Sequence, residues 1–344
     1  MPPTNQIPTR SHTSPHIKTT LLISDKKFSN FVGEKDEDVG ILQPQRRFTA
    51  SQLLVARIIF ALSCYFCYLK AETFQDWIDT CWGYLRDQWW FQTVYFETLL
   101  VVVYSFPPTF FFMIIDKISY FDKFRVSPKG GLIYSESMQD ILFHAVEYIL
   151  PLSILDTLHV KHYYGVTDDV IIQKRLNWIQ RTRALPEYSP RLSDIIIHIS
   201  VAIVIYDIMF FIIHYNLHKY QILYRTFHKK HHTHVVINAK ATDHQNWIER
   251  IVFILSANAG LKVQGAHPFT RTIFVFVFVT ILIYNHCGYD FPWTFDKLIP
   301  GDIFSGSREH YVHHAKGKRH YQFCFTYLDK GLDWLESRKK NKKL

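Results

Sequence analysis

Apolar and polar positions along this chain fall into long blocks rather than the short periods of a soluble helix or strand. Residues 1–47 are polar, rich in Ser, Thr, Pro and Lys, and read as a disordered cytosolic tail; no apolar segment near Met1 suggests a signal peptide. The run Ser51 to Leu69 has the roughly 20 residues that a helix needs to cross a ~30 Å hydrocarbon layer. A second run, Thr93 to Ile115, contains Pro107 and Pro108, which predict a kink. Ile141 to Leu155 is shorter and holds His144 and Glu147, whereas Ile195 to Ile213 is again long enough. Thr272 to Tyr284 is short for a span, and with Ile251 to Leu261 it reads as a re-entrant hairpin. The pattern predicts an all-α chain with about four membrane helices.

Charge orients these spans. Arg46 and Arg47 precede the first span and place the N-terminus in the cytosol. The following loop carries Glu72, Asp76, Asp79 and Asp87 and reads as lumenal, with Trp82, Trp89 and Trp90 suited to the interface. Lys117, Lys123, Arg125 and Lys129 mark the return. Four spans put loop 156–192 in the lumen, against its content of Lys161, Lys174, Arg175, Arg181, Arg183 and Arg191. The net charge of +9 carries no nucleic-acid motif and fits membrane-flanking loops better than nucleic-acid binding. Of the 344 residues 48% are hydrophobic and 16% aromatic, more aromatic than a soluble chain of this size would carry. The five cysteines form no disulfide pattern, and no GxGxxG or GxxxxGK[ST] is present.

The anomaly is histidine, 19 in all and concentrated after residue 197. His214 and His218 stand four apart, a spacing that puts both on one helix face. His228, His231 and His232 form an HxxHH, and His310, His313 and His314 repeat it. A looser segment, Asn285-His286-Cys287-Gly288-Tyr289-Asp290, follows an apolar run. Eight crowded histidines would repel one another if protonated, but as neutral imidazoles they ligate metal. All-nitrogen donors suit Fe, Zn, Cu or Ni, and this number exceeds the four that one structural zinc takes. His12, His16, His144, His159, His162, His198, His234 and His267 lack box spacing and read as packing or solvent residues.

The stretch from Asp207 through His214, His218, Leu223, Tyr224 and His228 to His231-His232 resembles the fatty acid hydroxylase/sterol desaturase superfamily. Asn285 to Trp293, Leu185 to Pro190, and Pro107-Pro108 through Asp116 resemble its C-4 methylsterol oxidase and cholesterol 25-hydroxylase branch. The resemblance covers roughly residues 90–336. It implies multi-span helices under a cytosolic helical cap that carries a histidine-bound dimetal site. It further implies two iron ions, dioxygen as oxidant, and electrons from NAD(P)H through cytochrome b5 or a reductase, in the endoplasmic reticulum membrane. The implied ligands are His214, His218, His228, His231, His232, His310, His313 and His314, with His286 supporting and His244 and Asp290 as further candidates. The implied substrate is a lipid, a sterol by the Gly288–Trp293 segment, with an acyl chain as the alternative. Tyr289, Phe291 and Trp293 are candidates to line its channel or to anchor at the interface. A metal transporter and an inactive relative are the readings of other classes.

The sequence departs from the family pattern in places. Where relatives carry His-Pro-x-Glu, this chain has His244 with Glu249 displaced and no Pro. His320 stands where Asn is usual, and Leu328 replaces a Trp. The expected division is a tail over 1–47, a hydroxylase domain over 48–336 and a basic tail over 337–344, in which Lys340 and Lys342 match a dilysine retrieval signal.

Overall fold

A computed structural model of the chain describes residues 48–126, 138–233 and 236–341. The expected tail over 1–47 and Lys342 lie outside these residues. Among the described residues the regular structure is helical, and β-pairing is limited to three isolated bridges, including Arg125 with Tyr289 and Phe304 with Phe325. The helices of eight residues or more are α1 Ala50–Leu69, α2 Ala71–Leu85, α3 Phe96–Ile115, α4 Met138–Leu158, α5 Asp168–Arg175, α6 Leu192–Lys219, α7 Trp247–Val263, α8 Pro268–His286, α9 Ser307–Lys316 and α10 Tyr327–Asn341.

Helices α1, α3, α6 and α8 are long and apolar enough to cross a membrane. The number four stands, but its membership differs from the sequence reading. The run expected to be short at Thr272 to Tyr284 lies inside the 19-residue α8, because Pro268, Arg271 and Asn285 are polar or breaking residues that the helix nonetheless includes. Pro268 sits at the first helical turn, where its missing N–H costs nothing, and the His267 side chain caps the helix by accepting from the Phe269 N–H. The run Ile141 to Leu155 belongs to the longer, 21-residue α4. Helix α3 runs on through both of its prolines. The residues expected as a basic tail from 337 begin inside α10.

Helix α1 buries no residue and meets the rest through Phe60 edge-on to Phe295 and through Arg57, whose Nε donates to Lys297 O. Most of its apolar side chains, Leu54, Ile58, Ile59 and Leu62 among them, face outward, as expected of a lipid-bathed span. The core lies instead among α6, α7 and α8. There Ala202, Tyr206, Phe210 and Leu217 of α6 pack with Phe253, Ala257 and Leu261 of α7 and Phe274 and Phe278 of α8. Gly260 sets the closeness of the α6–α7 crossing, since a Cβ there would come within 2.7 Å of Ala202 Cα. Helix α3 packs on the other side of α8, with Phe112 and Ile115 against Val275, Val279 and Ile283. The lower ends of α6 and α8 thereby converge with the segments that carry the remaining histidines.

The charges of loop 156–192 are partly consumed inside the fold. Lys161 Nζ lies 3.2 Å from Glu97 and 2.8 Å from Asp156, Arg183 lies 3.1 Å from Glu97, and Lys174 donates to Thr182. A count of free Lys and Arg therefore overstates the charge of this loop.

Candidate metal centre

Each histidine box folds by a different local route. His214 and His218 occupy successive turns at the end of α6. The second box is not α-helical: His228 closes a π-helical turn, Tyr224–His228, and His231 and His232 open a 3-10 turn, His231–Thr233. The third box lies on α9, which the left-handed Gly317 (φ 66) terminates. His286 is the last residue of α8.

These elements bring nine imidazoles into two adjoining groups. One comprises His214, His218, His228, His232 and His313; the other comprises His231, His286, His310 and His314. Within each group the possible ligand atoms lie within 4.8 Å of one another. The two groups touch, with ring centroids 4.6 Å apart for His232 and His314 and 5.5 Å for His228 and His231. Neither group follows the boxes: His231 and His232 are neighbours in sequence yet belong to different groups.

Second partners fix the ring orientations. Tyr321 O accepts from His214 Nδ1 at 2.9 Å, Arg319 O from His313 Nδ1 at 2.7 Å and Leu282 O from His286 Nδ1 at 2.9 Å. A carbonyl can only accept, so these three rings carry their proton on Nδ1 and present a bare Nε2. Glu249 Oε1 lies 2.6 Å from His228 Nδ1. The Glu that the sequence reading found displaced thus stands against a box histidine. Asp207, fully buried in α6, accepts from the backbone N–H groups of Phe323, Cys324 and Phe325 and from Gln322 Nε2. It thereby pins the strip that carries Tyr321 O. Neither Asp207 nor Glu249 carried a role in the sequence reading, because each acts through a loop that spacing cannot locate.

The facing nitrogens sit close. His228 Nε2 is 3.1 Å from His214 Nε2, 2.9 Å from His218 Nε2 and 2.9 Å from His232 Nε2. In the second group His286 Nε2 is 2.9 Å from His310 Nε2, which is 3.2 Å from His314 Nε2. One proton on His228 Nε2 could satisfy only one of its three contacts, and the other lone pairs would face each other. Nitrogens bound to one metal at about 2.1 Å, at right angles, lie about 3.0 Å apart. The donor set therefore fits metal cations shared among the rings. His313 Nε2, buried and without a hydrogen-bond partner, is a further lone pair of this kind. Burial first, and neighbouring imidazoles second, hold His228, His231, His232, His310, His313 and His314 well below the ordinary imidazole pKa, so they are neutral and able to ligate near pH 7.

The weaker candidates stand outside both groups. His244 is buried at the end of the turn Ala239–Asp243 and Asp290 pairs with Lys297 at 3.3 Å; neither belongs to a histidine group. Burial above all raises Asp290 to about 6. Tyr289, Phe291 and Trp293 stack in sequence and pack on Phe112, Phe121 and Phe124, and none of the three lines the cavity described next. His234 lies outside the described residues.

A cavity of about 780 Å³ opens onto the centre, with His228, His231, His286 and His310 in its wall. That volume suits a lipid-sized ligand. Tyr206, Phe210, Phe253 and Phe323 make the wall nearest the histidines apolar.

Residues 199–333 match a family model described as fatty acid hydroxylase. The chain is similar to a cholesterol 25-hydroxylase-like protein of Danio rerio, 26% identical over 243 residues that cover 70% of this chain and 88% of that protein. It is similar to cholesterol 25-hydroxylase of Homo sapiens, 32% identical over 162 residues, 47% of this chain and 60% of that protein. It is also similar to methylsterol monooxygenase 1-3 of Arabidopsis thaliana, 26% identical over 265 residues, 71% of this chain and 84% of that protein. Against the mouse and human cholesterol 25-hydroxylases the match spans 54% and 60% of their length. No solved structure matches the chain.

Proposed function

We propose, from the match of residues 199–333 to the fatty acid hydroxylase family model, that this membrane chain is a metal-dependent oxygenase that hydroxylates a sterol. The observation that carries the reading is the pair of buried imidazole groups whose bare nitrogens face one another at about the separation of ligands on a common metal. We assign His214, His218, His228, His232 and His313 to one metal ion and His231, His286, His310 and His314 to a second, both iron. Bound iron would supply dioxygen reduction and the oxidising power that an unactivated C–H bond requires.

The chain supplies position and dryness. Tyr321 O, Arg319 O, Leu282 O and Glu249 hold the far side of four rings, so each Nε2 is aimed before metal arrives. The apolar wall of the cavity brings the alkyl part of a lipid to the same rings and keeps water away. The sterol relatives support a sterol over an acyl substrate. The chain has no nucleotide fingerprint, so electrons come from a separate donor, cytochrome b5 or an NAD(P)H-dependent reductase. We place the enzyme in the endoplasmic reticulum membrane with its metal centre facing the cytosol, where such donors are.

Purification in detergent, metal analysis and sterol profiling of cells with and without the chain test this reading. About two irons per chain and a new oxidised sterol are expected. Unchanged sterols with newly hydroxylated acyl chains would overturn the substrate, and a metal-free active protein would overturn the centre.

A further inference from the structure

The cavity has two polar ends. At one end are the histidines. At the other, Glu97, Asp156, Lys161, Tyr163 and Arg271 enter its wall. Helix α8 measures the distance between them, since Arg271 near its start and His286 at its end both line the cavity. Fifteen residues at 1.5 Å place them about 22 Å apart along the axis. Between them Phe274, Val275, Phe278, Val279 and Leu282 keep helical spacing and make the intervening wall apolar.

The far polar end is almost, but not wholly, satisfied by its own members. Arg271 makes a bidentate contact with Glu97, with Nη2 at 2.7 Å and Nε at 2.9 Å and 3.0 Å, and donates to Asn258 Oδ1. Lys161 bridges Glu97 and Asp156, and Thr98 donates to Asp156 Oδ2 at 2.7 Å. Tyr163 is different: it is 1% exposed and its hydroxyl has no hydrogen-bond partner. A buried hydroxyl without a partner is costly and calls for one.

Resting on the sterol-oxygenase reading above, we propose that Tyr163, with Asp156 and Lys161, is the recognition site for the sterol's own hydroxyl, so that oxidation falls on the opposite end of the molecule. A hydroxyl both donates and accepts, and here it meets a carboxylate, an ammonium and a free phenol. An anionic headgroup suits these three residues less, because the Glu97 and Asp156 carboxylates are already set against Lys161 and Arg271 there. The span matches as well. A sterol occupies roughly one leaflet, about half of the ~30 Å hydrocarbon core, and the side chains reaching in from both ends shorten the ~22 Å to a comparable length. A carbon next to the hydroxyl would lie at the end away from the metal ligands, so this geometry selects the distal tail over a methyl group on the hydroxyl-bearing ring.

The test uses the full chain in detergent with two probes, radiolabelled cholesterol and its 3-deoxy analogue, and two variants of the protein, wild type and Tyr163→Phe. Removing a hydroxyl that has no protein partner orphans no other group, so Tyr163→Phe should unfold at the wild-type temperature. Wild type should bind the 3-deoxy analogue roughly tenfold more weakly than cholesterol, the size of one hydrogen bond. In Tyr163→Phe that preference should shrink severalfold, with binding of the analogue unchanged. In the turnover arm, mass spectrometry should place the new oxygen on the tail distal to the hydroxyl. Equal binding of the two probes by wild type, tighter binding of a fatty acid than of cholesterol, or oxidation next to the hydroxyl would each overturn the proposal. A binding preference without turnover of any sterol would uphold the recognition site and overturn the oxygenase reading instead.

Discussion

Asp207 is the residue through which a perturbation outside the histidine groups should reach them. It is completely buried and accepts from Cys324 N at 2.6 Å, Phe323 N at 3.1 Å, Phe325 N at 3.3 Å and Gln322 Nε2 at 2.5 Å. Asp207→Ala removes every one of these acceptors and leaves buried backbone donors unpaired. Hydrogen bonds to a charged group contribute roughly 1.5–3 kcal/mol each, but the variant also relieves the cost of burying the carboxylate, so the contributions do not add. A net loss of about 3–5 kcal/mol is expected. Asp207→Asn keeps one oxygen for the backbone N–H groups and should lose only about 1–2 kcal/mol. The strip released by Asp207→Ala is the one carrying Tyr321 O, which orients His214, and it follows Arg319 O, which orients His313. Loss of such supporting contacts costs metal sites roughly 10–100-fold in affinity. Thermal unfolding in detergent reads the first effect. Metal retained after dialysis against graded chelator reads the second. Asp207→Ala protein that retained metal like wild type would refute the reasoning, even if it unfolded earlier.

Other expectations follow from the same geometry. His231→Ala and His313→Ala, one from each group, should abolish turnover and lower bound metal while the chain still inserts; full activity in either would remove that residue from the ligand set. Purified protein given sterol, dioxygen and NADPH alone should be inactive and should turn over once a reductase, with cytochrome b5 if required, is added; activity without any redox partner would contradict the electron route. Gly260→Val should drive α6 and α7 apart, because even a Cβ meets the Ala202 backbone, and should cost about 1–3 kcal/mol in thermal unfolding. His267 donates from Nε2 to Tyr188 O and accepts the Phe269 N–H on Nδ1, a pattern only the neutral ring can make. Burial chiefly lowers its pKa to about 4. Its contribution is therefore complete above the unfolded value near 6.5 and declines as pH falls from there toward 4. His267→Asn retains a capping oxygen without titrating, and its unfolding temperature should fall less between pH 7 and 5 than that of wild type.

The histidines were legible in the sequence because a spacing of three or four survives translation into a shared face. That held for α9 and for the end of α6. The second box reaches the same centre through π and 3-10 turns, so its apparent helical spacing arrived at the right neighbourhood by another backbone. Spacing could not reveal the division into groups. His231 and His232 diverge because consecutive residues of a tight turn project in different directions, and His313 crosses to the group of His214 through chain folding alone. The spans were legible as apolar blocks, yet α8 was underestimated. Its terminal polar residues are used inside the protein, Arg271 against Glu97 and Asn285 against Phe323 O. Hydropathy reads such residues as boundaries when they are partners.

The partnership between Glu97 and Arg271 also bears on how the chain is made. The two residues are 174 positions apart, and Lys161 and Arg183 are synthesised between them. A lone charge held by a span within lipid costs on the order of 2.5–3.5 kcal/mol at the helix centre and less toward its ends. During synthesis α3 therefore enters the bilayer with an acid that later segments must neutralise, and its bidentate partner arrives only with α8. A nascent chain halted before residue 268 holds Glu97 without that guanidinium and α3 without the helix it packs on. Arg271, the last of these cations to be synthesised, thus both completes the ionic cluster and stands on the helix whose other end brings His286 to the histidine groups.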